Sequence, residues 1–447
     1  MLWNTMSDFY TPVDTIPKIV ADLHASFRAG IASPISTRIS QLSALASLIK
    51  DNYKELEAAS RADFNKFATD ALLVVKDIKS MCEKLEEWTK EEIVGQKDEE
   101  TYALRREPKG VVLVIGAWNY PFVLSLGPLA GAIAAGNCVV LKPSEVAPKT
   151  AKLLHELLSR YLDPRVVQVV SGGPRETTVL LEQKFDHIFY TGGPAVGRII
   201  YSAAAKHLTP VTLELGGKSP FIIDSEVDLA DAAQQLAWGK FENAGQICIA
   251  PDYVLCPQSM VERVVAELRG AIQKAWGEPH HDDAESKYAR IVADRHYDRL
   301  EKLIQSTRGD IVIGGKVLNR SKRFIEPTVV VTKDAEDPIM QEEIFGPILP
   351  IVPVQNVQEA VEFVRKHPHP LAVYCFSNNE STIDYVKSRT QSGGFVANRV
   401  LVQFWCDALP FGGVGESGIG NYRGDGKYSF ETFSHLRSVL VRKSAKL

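Results

Sequence analysis

The sequence predicts an α/β fold: a doubly wound parallel sheet in the N-terminal half, then a second α/β unit built around Cys248. Three observations carry this. Short apolar runs rich in β-branched residues and bounded by glycine recur before position 200, as buried parallel strands do. Segments of helical period separate them, which is the signature of βαβ units. After Cys248 the alternation starts again with a new set of strands and helices.

Residues 15–90 read as helical, with Leu42, Leu45, Leu48 and Ile49 at helical spacing. GVVLVIGAW is the first buried strand, followed by CVVLKPS (138–144), VVQVVSGG (166–173) and HIFYTGG (187–193). Between and after them, TAKLLHELLSRYL (150–162) and AVGRIIYSAAAKHL (195–208) read as helices. In the second unit YVLCP, DIVIGG, FIEPTVVV, ILPIVPV and LAVYCFS read as strands, and VERVVAELRGAIQKAW and VQEAVEFVRKH as helices. The last forty residues, Gly-rich and polar, read as an irregular arm.

Composition narrows the function classes. The chain has 447 residues, a formal net charge of −4, 45% hydrophobic and 24% charged residues. That is ordinary globular usage over more than one domain. The balance offers no electrostatic reason to expect nucleic acid or an anionic membrane as partner. No apolar run reaches membrane-spanning length, and the N-terminus lacks a secretory pattern. Cys82, Cys138, Cys248, Cys256, Cys375 and Cys406 are scattered without a CxxC pair, so neither a disulfide framework nor a zinc site is expected. Five read as packing residues. Cys248, in FENAGQICIAPDY among small and polar neighbours, does not.

Four further stretches have chemistry to offer. YTGGPAVGRII (190–200) follows a strand and opens a helix, with Gly192, Gly193 and Gly197. A helix N-terminus there suits a pyrophosphate; the alternative is a glycine turn for tight strand–helix packing. VVLKPSE places Lys142 and Glu145 at a strand end, where a carboxylate can accept ribose hydroxyls; the alternative is a solvated ion pair. LELGGKSP sets Glu214 between two leucines. Apolar company raises a carboxyl pKa and suits a general base; the alternative is a hydrogen-bonded structural glutamate. In WNYP, Asn119 has an amide able to donate to an oxyanion, or to cap the next helix.

FENAGQICIAPDY, LELGGKSP, WNYP, KPSE, EEIFGP (342–347), SGGFVAN (392–398) and LPFGGVG (409–415) stand in the order and approximate spacing of aldehyde dehydrogenases. The chain resembles that family from about residue 15 to 440, and within it the class-three branch, which includes fatty and aromatic aldehyde oxidisers. The resemblance implies a Rossmann-like cofactor domain, a catalytic domain and a β-arm bridging two subunits of a homodimer. It assigns 1–85 and 108–237 to the first, 238–405 to the second, and 86–107 and 406–447 to the arm and tail. It implies Cys248 as nucleophile, Asn119 as oxyanion donor and Glu214 as the residue that activates water against a thioester. NAD or NADP is the implied cofactor, with Glu343 and Phe345 at its nicotinamide end, Lys142 and Glu145 at the adenosine ribose, and Gly192, Gly193 and Gly197 at the turn. Trp118 and Leu215 join the cofactor contacts. Tyr120, Ile247, Asn398, Arg399 and Gln403 are expected on the substrate side.

The departures concern the substrate. Ile247 stands where relatives often have a small polar residue, and Arg399 and Gln403 where they tend to have an acidic residue and a histidine. The chain also ends without the hydrophobic tail of membrane-anchored fatty-aldehyde members. The expected function is NAD(P)-dependent oxidation of an aldehyde, aliphatic or aromatic, to its acid. The rivals are acyl transfer to coenzyme A and a non-catalytic structural protein of the same fold. Ala445, Lys446 and Leu447 resemble a peroxisomal address, which makes the peroxisome or the cytoplasm the expected location.

Overall fold

The computed structural model describes residues 9–277, 287–420 and 426–442. The tripeptide Ala445, Lys446 and Leu447 lies outside them. Two sheets organise the chain. The first runs, edge to edge, Gly418–Ile419, Val211–Glu214, His187–Thr191, Val111–Ile115, Cys138–Lys142 and Val167–Val169. All its pairings are parallel except that of Gly418–Ile419 with Val211–Glu214. Val111–Ile115 and Cys138–Lys142 are buried at every position. Covered faces on both sides are why these strands read as continuous apolar runs rather than alternating ones.

Four helices, Ile16–Arg28, Ile35–Asp51, Tyr53–Phe64 and Thr69–Thr89, account for the helical N-terminal stretch. Helix Val123–Ala135 is apolar almost all round and buried at every position but Leu124, packed beside strand Cys138–Lys142. The second sheet runs Asp310–Ile313, Thr328–Val331, Ile348–Val354, Tyr253–Pro257, Pro220–Ile223, Ala372–Phe376 and Gly394–Ala397, parallel apart from its first strand. Pro220–Ile223 thus belongs to this second sheet, and the chain crosses between sheets at Gly216 and Gly217 rather than near residue 238. Two glycines free the backbone to leave one sheet and enter the interior of the other.

The expected irregular arm is more ordered than its composition suggests. Glu92–Lys97, Glu100–Pro108 and Ser434–Arg442 form a three-stranded antiparallel sheet, with nine residues in register from Ser434 opposite Pro108 to Arg442 opposite Glu100. Ile93, Val94, Leu436, Leu440 and Val441 are exposed on it. Among the described residues no helix is long and apolar enough to cross a membrane, and no cluster of His, Cys, Asp and Glu is arranged to hold a metal.

Candidate active site

The loop that carries Cys248 is shaped by an unusual backbone. Helix Leu229–Phe241 ends, and Asn243, Ala244 and Gly245 follow with φ of 52, 52 and 74°. A Cβ on Gly245 would lie 2.3 Å from the Gly346 carbonyl oxygen, so only glycine fits. Left-handed non-glycine residues cost about 1 kcal/mol or more each and need support. It comes from side-chain amides. Asn243 Nδ2 donates to the carbonyls of Asn119 (3.1 Å) and Gln246 (3.2 Å). Gln246 Nε2 donates to Asn243 O and Arg290 O, both at 3.0 Å, while its Oε1 accepts from Val292 N. Beyond the cysteine, Tyr374 donates its hydroxyl to Ile249 O at 2.7 Å and accepts from Gln403 Nε2 at 3.0 Å.

Burial pushes the Cys248 thiol up to about 12, with the charges of Glu343 and Glu214 adding to it. Glu214 is raised well above the carboxylate range by burial alone, and its Oε2 has no hydrogen-bond partner. That isolation is unlike a structural glutamate, whose oxygens are normally satisfied. Burial, with Asp252 second, pushes Glu343 up to about 8. Asn119 is 3% exposed and donates Nδ2 to Gln246 O at 3.0 Å, two residues before the cysteine. It does not cap helix Val123–Ala135, whose N-cap is Phe122.

One cavity of about 210 Å³ gathers Asn119, Glu214 and Cys248 with Trp118, Gly192, Gly193, Leu215, Glu343 and Phe345. Thr191, His296 and Arg299 also line it and were not foreseen from sequence. Its walls fit a dinucleotide. Helix Pro194–Ala205 opens at Gly193, which lines the cavity, so the positive end of the helix dipole lies at its wall. Thr191 Oγ1 and His296 Nε2 are buried there without partners. His296, held down to about 4 by burial and by Arg295 and Arg299, is neutral and tilts against Trp118 with ring centroids 5.4 Å apart. Phe345 (φ 45°) meets the same Trp118 edge-on at 5.4 Å. Arg299 fastens that loop by donating to Ile344 O at 2.6 Å.

Lys142, Glu145 and Gly197 lie outside the walls of this cavity. Lys142 is buried and pairs with Glu145 at 2.9 Å, so the ion pair weighed from sequence exists, but one half is desolvated. A Cβ on Gly197 would come 3.0 Å from Leu215 Cδ2, which fits the packing alternative for that glycine.

A second, narrow cavity of about 30 Å³ reaches Cys248 between Tyr120, Leu124, Ile247, Ile249, Leu401, Phe404 and Trp405. Tyr120 and Ile247, expected on the substrate side, line it. Asn398, Arg399 and Gln403 do not line it. Asn398 spends its amide on the Ser377 backbone, donating to O and accepting from N, both at 3.0 Å. Arg399 is exposed. Gln403 is 9% exposed and turned onto Tyr374. The cause is local: Leu401 has φ 60° and a 3₁₀ turn spans Val402–Trp405, which swings Leu401, Phe404 and Trp405 to the tunnel.

Residues 11–439 match the aldehyde dehydrogenase family as a whole. The chain is 45% identical to the rat "Aldehyde dehydrogenase, dimeric NADP-preferring" over 439 residues, covering 96% of this chain and 95% of the relative. It is 46% identical to "Aldehyde dehydrogenase family 3 member A2" of Pongo abelii, covering 95% and 87%. Among solved structures, the substrate-bound state of Staphylococcus aureus AldH superposes with a TM-score of 0.92 at 38% identity, covering 96% and 94%. The chain belongs to the aldehyde dehydrogenase family, with relatives in its class-three branch.

Proposed function

We propose that the protein oxidises apolar aldehydes to carboxylic acids with NAD or NADP, through a thiohemiacetal and then a thioester on Cys248. One observation carries the reading: Cys248 lies on the walls of both the dinucleotide cavity and the apolar tunnel, so its sulfur stands where the two meet. The tunnel is lined by aliphatic and aromatic side chains, which selects an apolar stem behind the aldehyde.

Attack needs the Cys248 thiolate, since the thiolate is the nucleophile. The Asn119 amide and the Cys248 N–H are the donors for the oxyanion that forms on the aldehyde oxygen. Glu343, Trp118 and Phe345, on the cavity wall, would hold the nicotinamide end, and Lys142 and Glu145, beyond that wall, would hold the adenosine ribose. The dinucleotide, when bound, supplies the hydride acceptor that converts thiohemiacetal to thioester. Glu214 then takes a proton from water so that hydroxide releases the acid. Burial raises the Glu214 carboxyl, which makes its carboxylate form a stronger base toward water. This role for Glu214 also favours hydrolysis over transfer to coenzyme A. The rat relative is named dimeric, and the exposed Leu436, Leu440 and Val441 of the arm suit a homodimer.

The test is a panel of aldehydes, aliphatic to aromatic, run with each dinucleotide while following reduced cofactor and free acid. Acid release without coenzyme A is expected, with apolar aldehydes preferred. No turnover with any aldehyde, or turnover only with coenzyme A, sinks the reading.

A further inference from the structure

We propose that Lys66 and Asp70 clamp the backbone of residues 119–123 and thereby position the Asn119 amide and the Tyr120 ring at Cys248. The proposal rests on the reading of Asn119 as oxyanion donor. It concerns two residues that lie on none of the cavities lined by Cys248 and belong to no motif of the sequence.

The turn is gripped at both ends by opposite charges from one short segment. Lys66, 7% exposed, donates Nζ to the Asn119 carbonyl oxygen at 2.7 Å. The same ammonium stands 3.0 Å from the centroid of the Tyr120 ring, a close cation–π seat. Four residues on, Asp70 is 1% exposed and sits in the first turn of helix Thr69–Thr89. Its Oδ2 accepts from Phe122 N at 3.2 Å and Val123 N at 3.3 Å. Those are free amides at the start of helix Val123–Ala135, which has no side-chain cap of its own. A cation on a carbonyl and an anion on a helix N-terminus are both charge-assisted contacts, the stronger kind of hydrogen bond.

The link to the chemistry is short. Asn119 shares its carbonyl between Lys66 and Asn243 and donates its amide to Gln246 O, two residues before Cys248. Moving the Asn119 backbone therefore moves the amide relative to the sulfur. Burial pulls the Lys66 ammonium down, and the opposing charges of Asp70 and Glu242 limit the net result to about 8. Lys66, Asp70 and Glu242 also line an outer cavity of about 570 Å³ that shares Tyr120, Leu401 and Trp405 with the tunnel. The clamp thus stands beside the substrate side, not the dinucleotide side.

The experiment measures the burst of reduced dinucleotide with an apolar aldehyde in Lys66→Met, Lys66→Arg, Asp70→Asn, Asn119→Ala and the double variant Lys66→Met/Asn119→Ala. Dinucleotide affinity and Tm are read alongside. Misplacing a reacting group by about 1 Å can cost on the order of 100-fold, so Lys66→Met is expected to slow the burst roughly 10- to 100-fold. Dinucleotide affinity should stay within about twofold of the parent and Lys66→Arg should recover most of the rate, because charge and donor return. Residues acting through one another are non-additive, so the double variant should be no slower than Asn119→Ala alone. A Lys66→Met burst at the parental rate, while Asn119→Ala is slow, overturns the clamp alone. Further slowing of Asn119→Ala by Lys66→Met also overturns it. Asn119→Ala at the parental rate overturns the oxyanion reading itself. If Lys66→Met does not fold, Asp70→Asn decides: a slowed burst with dinucleotide affinity retained supports the clamp, and an unchanged burst overturns it.

Discussion

Gly216 and Glu343 occupy one space: a Cβ on Gly216 would lie 2.2 Å from Glu343 Oε2 and 2.4 Å from Oε1. The carboxyl expected to grip the nicotinamide ribose is thus seated against bare backbone at the crossing between the two sheets. Gly216→Ala must displace it. Weakening of dinucleotide binding by about tenfold or more is expected, equivalent to roughly 1.4 kcal/mol. Fluorescence titration with reduced dinucleotide reads this directly, and an unchanged Kd would show that Glu343 does not hold the cofactor.

Cys248 and Glu214 separate the two halves of the reaction. Cys248→Ser should produce no burst, since a hydroxyl is far harder to ionise than a thiol in the same buried place. Glu214→Gln should still give a burst of about one reduced dinucleotide per competent site and then stall. Mass spectrometry should find the acyl group on Cys248. If burst and steady rate fall together with no adduct, Glu214 acts before hydride transfer, in activating the thiol.

Much of this site was legible because its chemistry stands where chain direction changes. Asn119 and Glu214 each follow or end an apolar run marked by Gly or Pro, whereas Cys248 stands out as a thiol among small and polar neighbours, and the role expected of each came from the motifs shared with the family. The tunnel was not legible. Leu401, Phe404 and Trp405 reach it through one left-handed residue and a 3₁₀ turn, and neither has a period. The same geometry takes Gln403 away from the tunnel and into support of the cysteine loop, through Tyr374. Gly418–Ile419 is invisible for a related reason: a strand of two residues has no pattern, yet it places Gly418 opposite Glu214. His296 and Arg299 lie on helix Asp294–Ser306, where apolar period speaks only for the buried face, Tyr297, Leu300 and Leu303.

Glu343 also predicts a pH dependence of stability. Its carboxyl is held at about 8 in the folded chain by burial and by Asp252, against about 4.3 when unfolded. The folded state therefore keeps a proton that the unfolded chain has released. The resulting contribution is fully present below about pH 4.3 and is lost as pH rises through about 8. Tm should fall between pH 5 and pH 8.5, and Glu343→Gln, which has no proton to lose, should fall less. Equal slopes for parent and variant would remove Glu343 as a contributor.

Phe404 is the residue through which substrate size should be read. It touches the narrow tunnel beside Ile247 and also the adjoining cavity between Cys248, Glu214 and Phe411. Its ring is fixed by edge-on contacts to Trp405 at 4.6 Å and Phe411 at 5.0 Å, so it is a wall rather than a mobile flap. Removing it leaves a small apolar aldehyde with fewer contacts but the same sulfur, amide and carboxyl. For such a substrate Phe404→Ala should raise KM about tenfold and change kcat little, since one lost apolar contact is worth roughly 1–3 kcal/mol of binding. A bulky aromatic aldehyde, excluded from a space of about 30 Å³, should instead gain. The ratio of kcat/KM for the bulky aldehyde to that for the small one should therefore rise by about tenfold or more. An unchanged ratio would mean that the aldehyde does not approach Cys248 through this tunnel, and the apolar assignment of the substrate would fall with it.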